Sequence, residues 1–230
     1  MLQGLKISLV VPTLNEAEGV RRLMGLVPKS IDEVVVVDGD SKDDTRRVAS
    51  ELGATVVVEK RLGYGRAYRT GFERCSGEII AAADGDATYP VERLEAVIAH
   101  LLALDLEFVS CARFPLAEPE SMGFQNRFGN SVMTAIASLL WLHRFQDILS
   151  GMWVFRKRAL ERLALASDNW NFSEEIKLEA YRKLGPGFSE FGIPYHKRVG
   201  ETKLTPWKVG LENILHMLAM RSGLAPARRA

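Results

Sequence analysis

Features typical of secreted, membrane-spanning or nucleic-acid-binding proteins are scarce in this chain. Its 230 residues include two cysteines. Cys75 and Cys111 are far apart and neither lies beside a histidine, so we expect reduced thiols rather than a disulfide or a zinc site. The net charge of +1 gives no global field that would attract nucleic acid. No apolar run reaches the roughly 18–20 residues that span a bilayer, and no signal-peptide profile is present. We therefore expect a cytoplasmic chain that does not cross a membrane.

Two common nucleotide-binding motifs are missing as well. The first predicted strand, residues 6–11, is followed neither by a G-x-G-x-x-G turn nor by a P-loop. Gly63, Gly65 and Gly71 lack the spacing of the first motif and do not directly follow that strand. The sequence therefore argues against NAD-dependent enzymes and P-loop NTPases.

Strand and helix patterns alternate through the first half of the chain. Apolar residues make up 47% of the sequence and charged residues 26%, which is ordinary for a globular domain. Strands are predicted at 6–11, 33–37, 54–59, 78–83 and 107–112, with helices between them, one of which begins at Pro90. This alternation predicts an α/β fold with a mostly parallel sheet and helices on both faces. We expect one domain, residues 1–230, with halves at 1–112 and 113–230.

The second half has a different pattern. A long helix is predicted at 124–142, apolar nearly all round in its second part. A strand at 152–156, helices at 158–165 and 174–184, a strand at 189–195 and an amphipathic helix at 206–220 complete the prediction.

The fourth predicted strand ends in two carboxylates, Asp84 and Asp86, separated by one glycine. In open α/β sheets, ligands bind beyond the carboxyl ends of the strands. Two hard oxygen donors without a nearby histidine or cysteine suit Mg²⁺ or Mn²⁺. An ordinary acidic turn is the alternative.

The same segment also spells D-x-D-x-T, the motif of aspartyl-phosphate phosphatases, with Asp84 as nucleophile and Asp86 as general acid. This alternative requires a further acidic pair, and the nearest one, Glu174-Glu175, falls in a predicted helix. The motif also follows the fourth strand rather than the first.

Several short motifs follow one another from about Lys6 to Leu204. They are Pro12-Thr13-Leu14-Asn15-Glu16, Asp38-Gly39-Asp40-Ser41, Gly65-Arg66-Ala67 with Gly71, Asp84-Gly85-Asp86, Asp147-Ile148-Leu149-Ser150-Gly151, Ile193-Pro194-Tyr195 and Arg198-Val199-Gly200-Glu201-Thr202-Lys203-Leu204. In this order they resemble the motifs of family 2 glycosyltransferases with the GT-A fold, and among these the dolichol-phosphate mannose synthases. Each motif alone is weak, but their shared order is specific.

The resemblance implies an inverting enzyme that moves a hexose from a nucleotide sugar, GDP-mannose or else UDP-glucose, to polyprenyl or dolichyl phosphate. It assigns nucleotide-sugar binding to the first half, at Pro12, Leu14, Asn15, Glu16, Asp38, Asp40, Gly65, Ala67 and Asp84. It assigns Mg²⁺ or Mn²⁺ to Asp84, Asp86 and Thr88. Catalytic roles fall to Asp86, Arg113, Arg127, Ser131, Arg198 and Lys203.

Three positions depart from the family pattern. Leu14 stands where many members carry an aromatic residue and Gly39 where many carry a second acid, which leaves the nucleotide base open. Thr88 stands where mannose synthases often place a glutamine as a further metal ligand.

The chemistry of the acceptor separates the alternatives. A hydroxyl acceptor requires a general base, for which Asp147 and Glu175 are candidates. A phosphate monoester, with a second pKa of about 6, is already a dianion near neutral pH and requires cations instead, a role that Arg113 and Arg127 would fill with Ser131. The structural alternatives are that Arg127 is a charged residue on a helix surface and that Arg113 pairs with a neighbouring acid. A silent nucleotide-sugar-binding module is a further alternative, which the intact acidic pair disfavours.

Two helices favour a peripheral site on the cytosolic face of a membrane. The helix through Leu142 and the C-terminal helix offer apolar surface, and Arg221, Arg228 and Arg229 would attract anionic lipid. Packing in the core is the alternative for both helices.

Overall fold

The computed structural model describes residue 2, residues 4–198 and residues 206–224. In this part of the chain seven strands form one sheet in the order β3-β2-β1-β4-β6-β5-β7. The strands are β1 (Ile7–Thr13), β2 (Glu33–Asp38), β3 (Thr55–Val58), β4 (Ile79–Ala82), β5 (Phe108–Ala112), β6 (Trp153–Arg156) and β7 (Phe188–Gly192). Every strand pair is parallel except those that β6 forms with β4 and β5.

Helices cover both faces of this sheet. They are α1 (Ala17–Leu26), α2 (Thr45–Glu51), α3 (Tyr64–Arg74), α4 (Leu94–Ala103), α5 (Phe124–Trp141), α6 (Phe172–Leu184) and α7 (Pro206–Ser222). Apolar side chains of α1, α2 and α4 pack on one face, and those of α3 and α6 pack on the other. A smaller cluster joins α5, α6 and α7. The predicted α/β class, with a mostly parallel sheet between two helical layers, is confirmed.

The antiparallel strand β6 decides where the second half meets the first. Ala82 at the end of β4 pairs with Trp153 at the start of β6. The loop before Trp153 therefore reaches the edge of the sheet at which β1, β2 and β4 end. Gly151 of this loop lies beside the acidic pair that follows β4, since a Cβ there would be 3.0 Å from Oδ2 of Asp84.

Some predicted helix details are wrong. The predicted helix at 158–165 is a 3-10 helix, Lys157–Arg162, and a second one, Val91–Arg93, separates Pro90 from α4.

Gly71 marks the closest approach of α3 to the sheet. A Cβ at this position would collide with Cγ1 of Val10 and lie 3.0 Å from Cγ2 of Val37. We expect Gly71→Ala to lower the free energy of unfolding by about 1–3 kcal/mol through overpacking, measured by urea denaturation.

Gly25 supplies the matched control, since it is also helical and a Cβ there would meet nothing within 4 Å. Gly25→Ala should raise the free energy of unfolding by about 0.5 kcal/mol. Equal effects of the two substitutions would contradict the packing assigned to Gly71.

Candidate active site

A cleft of about 360 Å³ opens where β1, β2 and β4 end. Parallel strands bring their carboxyl ends to one edge of a sheet, so loops far apart in sequence meet there. Many of the predicted nucleotide-sugar, metal and catalytic residues line this cleft. They are Pro12, Leu14, Glu16, Ala67, Asp84, Asp86 and Arg198.

Asp84 is held by two tyrosines of α3. The hydroxyls of Tyr64 and Tyr68 each donate to Oδ1 of Asp84, at 2.9 Å in both cases. Burial and the neighbouring charge of Asp86 raise the pKa of Asp84 to about 7. Near neutral pH this carboxyl group is therefore only partly ionised unless a nearby cation stabilises its charged form.

Asp86 is oriented by its own turn and by a distant arginine. The amide and hydroxyl of Thr88 donate to Oδ1 of Asp86 at 3.1 and 2.7 Å. Arg198 places Nη1 3.0 Å from Oδ2 of Asp86 and Nη2 2.9 Å from Oε1 of Glu16. One guanidinium thus bridges the loop after β1 and the loop after β4.

These donors fit a divalent cation of the hard type. Asp84 and Asp86 offer carboxylate oxygens, the ligands that Mg²⁺ and Mn²⁺ prefer. Within residues 2, 4–198 and 206–224, no cluster of three or more His, Cys, Asp or Glu side chains is arranged to hold a metal. An ion here would therefore take further ligands from substrate or water. The Thr88 hydroxyl orients Asp86, and its role as a metal ligand stays a prediction.

Other predicted residues lie behind the cleft wall and position it. Asn15 and Asp40 both adopt left-handed φ values, 50° and 62°. The Asn15 side chain accepts from the Lys42 amide at 2.7 Å, while Asp38 is fully buried and accepts from the Ser41 amide at 2.9 Å. The first bond joins the loop after β1 to the loop after β2, and the second closes the loop after β2 on itself.

Gly65 has a packing role in the same wall. A Cβ at Gly65 would lie 2.5 Å from the carbonyl oxygen of Ser167 and 2.6 Å from Cβ of Phe172. Only glycine lets the start of α3 approach α6 this closely.

Arg113 is paired and buried. Its Nε and Nη2 donate to the two carboxylate oxygens of Asp147 at 2.6 and 2.9 Å, and Nη2 also contacts Oδ1 of Asn130 at 3.3 Å. The ring of Tyr195 lies 5.2 Å from the guanidinium carbon. Burial alone would raise the pKa of Asp147, but the charge of Arg113 lowers it. Arg113 therefore pairs with a neighbouring acid, as its structural alternative predicted.

Arg127 and Ser131 lie on α5 in a different environment. Ser131 donates to the Arg127 carbonyl at 3.0 Å, and the half-buried Arg127 guanidinium lies 5.9 Å from the Phe124 ring. A second cavity, about 280 Å³, lies between α5 and residues 145–146 and is lined in part by Ser131, Asn130 and Phe114. Lys203, the remaining predicted catalytic residue, lies outside the described residues.

Neither predicted base faces the main cleft. Asp147 is fully buried against Arg113. Glu175 is also buried, and its carboxylate accepts from the amides of Ala166 and Ser167. The structure therefore gives neither carboxylate access to an acceptor hydroxyl in that cleft.

Sequence comparison supplies the family. The model of glycosyl transferase family 2 matches residues 8–164. The chain belongs to glycosyltransferase family 2. The D-x-D-x-T phosphatase alternative thereby loses its support, since the acidic pair of this glycosyltransferase lies within the match.

Curated relatives extend the similarity. The low-salt glycan biosynthesis hexosyltransferase Agl6 of Haloferax volcanii is 32% identical over 224 residues, covering 94% of this chain and 54% of that protein. The chain thus spans about half the length of this relative. The dolichyl-phosphate hexose transferase of the same organism is 30% identical over 207 residues, covering 89% of each chain.

Solved structures share the fold. Glucosyl-3-phosphoglycerate synthase from Mycobacterium tuberculosis, crystallised with Mn²⁺, UDP and glucosyl-3-phosphoglycerate, matches with a TM-score of 0.73. The sequence identity is 20%, over 98% of this chain and 82% of that one. The glycosyltransferase therefore has the GT-A fold.

Several residues that line the cleft or lie directly behind it were not predicted from the sequence. Tyr64 and Tyr68 are spaced one helical turn apart around Ala67, so their common face was a usable signal. Trp170 lines the cleft and stacks on Tyr64 with ring centroids 4.8 Å apart. It enters from the loop before α6, which nothing local in the sequence connects with the acidic pair.

The raised pKa of Asp84 generates a test on stability. In the folded protein the pKa is about 7 against an ordinary 3.8, so the folded state loses stability as pH rises between these values. In EDTA, Asp84→Asn should therefore raise the free energy of unfolding at pH 8 by more than about 1 kcal/mol. The gain should shrink at pH 5, as measured by urea denaturation at both pH values.

Asp105→Asn is the control, because this carboxylate is exposed and pairs with Arg156. It should give no comparable gain at pH 8. A gain for Asp84→Asn that is the same at pH 5 and pH 8 would contradict the assignment of a buried charge.

Proposed function

We propose that this glycosyltransferase moves a hexose, with inversion, from a nucleotide sugar to polyprenyl or dolichyl phosphate. One observation carries the proposal. The acidic pair Asp84 and Asp86, bridged to Arg198, lies at the strand ends beside the loop that grips the buried Arg113. A site for a departing diphosphate and a cationic group on the second half of the chain are thus adjacent.

The donor would bind in the main cleft, with residues 1–112 as the nucleotide-sugar half. GDP-mannose is the first choice and UDP-glucose the second. A dolichol-phosphate mannosyltransferase from Pyrococcus furiosus, 26% identical over 217 residues, supports the first, and the UDP-bound structural neighbour supports the second. Leu14 in the cleft wall offers an apolar surface to either base.

Asp84 and Asp86 would hold Mg²⁺ or Mn²⁺, which neutralises charge on the diphosphate when bound. Arg198 adds a fixed positive charge beside these carboxylates. A cation already placed where negative charge develops needs little reorganisation during the reaction. Lys203 would contribute in the same way as a second cation.

The acceptor would approach through the second cavity, in residues 113–230. A phosphate dianion needs no base, which agrees with the buried positions of Asp147 and Glu175. Ser131, which lines this cavity, and Arg127, one turn before it on α5, would bind the phosphate, and Arg113 behind Asn130 would add its charge. Transfer of glucose from UDP-glucose to a hydroxyl remains the alternative, and it requires a base from elsewhere.

The surface of α5 and α7 favours a peripheral position at a membrane. No described helix has the length and apolar composition to cross a bilayer. Exposed apolar side chains nevertheless recur at helical spacing on both helices: Phe124, Phe128, Val132, Leu139 and Leu142 on or directly after α5, and Leu211, Leu215 and Leu218 on α7. The two helices pack together in one cluster, so we propose that they rest on the cytosolic leaflet, where the lipid acceptor resides.

A transfer assay tests the proposed function. Purified protein with Mn²⁺ should label polyprenyl phosphate from one member of a panel of GDP- and UDP-sugars. Asp86→Asn should reduce this transfer at least about a hundredfold while the protein stays folded by circular dichroism. Arg127→Ala should raise the KM for polyprenyl phosphate about tenfold and leave the KM for the nucleotide sugar within twofold.

Arg74→Ala is the matched control, since Arg74 is an exposed arginine in the last turn of α3, at the opposite edge of the sheet. It should change neither KM. Equal shifts of both KM values in Arg127→Ala would refute the acceptor assignment, and labelling of a hydroxyl acceptor alone would favour the alternative.

Membrane contact is tested separately by vesicle flotation. Leu139 and Leu215 are 74% and 58% exposed. The double variant Leu139→Glu, Leu215→Glu should weaken binding to vesicles of phosphatidylcholine and phosphatidylglycerol at least about tenfold, because two apolar anchors are lost. Leu104→Glu, at a leucine 59% exposed after α4, should bind like the unmodified protein. Equal binding by all three would rule out this face.

A further inference from the structure

Four charged side chains lie together behind the acceptor side of the site. Arg113 and Lys177 are cationic, Asp147 and Glu190 anionic, so the group balances in charge. Lys177 is 1% exposed and Asp147 fully buried. A buried lysine is costly unless its donors are satisfied, which makes the bonds of Lys177 informative.

Lys177 and Glu190 hold the loop at residues 146–150 from beneath. Nζ of Lys177, on α6, donates to the carbonyl oxygens of Asp147 and Ser150 at 3.1 and 3.0 Å. The carboxylate of Glu190, on β7, accepts from the amides of Gln146 and Asp147 at 2.8 and 3.3 Å. Lys177 thus holds carbonyl groups of this loop, and Glu190 holds amide groups of the same loop.

The loop connects the two halves of the site. At one end Asp147 grips Arg113. At the other end the Gly151 amide donates to the Tyr89 hydroxyl at 2.6 Å, and the Gly151 carbonyl accepts from Tyr68 at 3.1 Å. The single hydroxyl proton of Tyr68 is shared between this carbonyl and Asp84. A shift of the loop would therefore move Arg113 relative to the acidic pair.

We propose that Lys177 is a positioning residue for transfer, which ties the 146–150 loop to α6 and so sets the place and charge of Arg113 at the acceptor side. This inference rests on the proposed function for its phosphate acceptor. Lys177 touches no predicted substrate position and acts through Asp147 and Ser150. The charges of Arg113 and Lys177 both act on Asp147, so loss of the Lys177 charge would leave Arg113 alone to balance this carboxylate, which weakens the field of Arg113 at a phosphate.

The charge of Lys177 is within reach of titration. Burial lowers the pKa of Lys177 to about 7, against the raising effect of Asp147. Arg113, Glu190 and Glu174 are the other charged groups that act on it. Raising the pH above neutrality should therefore remove in the unmodified protein the same charge that a neutral substitution removes.

The experiment compares Lys177→Met with Lys157→Met. Lys157 is the matched control because its amine also donates to a backbone carbonyl, that of Cys75, but away from the loop. Lys177→Met should raise the KM for polyprenyl phosphate about tenfold and leave the KM for the nucleotide sugar within twofold. The ratio of its acceptor KM to that of the unmodified protein should fall between about pH 6.5 and 8.5.

Hydrogen–deuterium exchange gives a second measurement that needs no substrate. Peptides covering residues 145–152 should exchange faster in Lys177→Met than in Lys157→Met, with the peptide covering β1 unchanged. If Lys177→Met does not fold, Glu190→Gln tests the same loop through its amides, since glutamine keeps only one of the two acceptor oxygens. It should likewise raise the acceptor KM and the exchange of the loop.

The outcomes separate the two proposals. Unchanged exchange and an unchanged acceptor KM in Lys177→Met would overturn the positioning role. A KM ratio independent of pH would overturn the part played by charge. If the unmodified protein transfers nothing to polyprenyl phosphate, the proposed acceptor fails, and exchange of the loop alone then decides whether Lys177 holds it.

Discussion

The site depends on keeping two carboxylates together at the end of a central strand. Asp84 and Asp86 are separated by a single residue. Burial of Asp84 and repulsion from Asp86 raise the pKa of Asp84 to about 7. Such a pair requires compensation, which the chain supplies through two tyrosine hydroxyls at Asp84 and the guanidinium of Arg198 at Asp86. The same need for positive charge suits the site to a divalent cation.

The second constraint is that residues from both halves of the chain must meet at the cleft. The antiparallel strand β6 solves this, because it pairs with β4 and begins where β4 ends. Its preceding loop contacts Asp84 through Tyr68 and holds Arg113 through Asp147. A short, hydrogen-bonded loop rather than a flexible linker thus positions Arg113 relative to Asp84.

Helix α5 shows why apolar composition alone did not decide its role. Met133 and Ala137 are buried against α7, as expected for a core helix, while Leu139 and Leu142 are exposed, as expected for a membrane-facing one. The buried side agrees with packing in the core, and membrane contact through the exposed side stays a prediction. Which residues fall on each side depends on the position of α7, which lies far away in sequence.

The amino-acid sequence by itself determined the order of strands and helices, the family, and the acidic pair after β4. These are local signals, in periodicity and in short motifs. Only the tertiary structure decided three contacts. Arg113 pairs with Asp147, and Arg198 contacts both Asp86 and Glu16. Lys177 lies under the loop at residues 146–150. Charge pairing joins residues up to 182 positions apart, and it depends on burial and distance, which no linear spacing encodes.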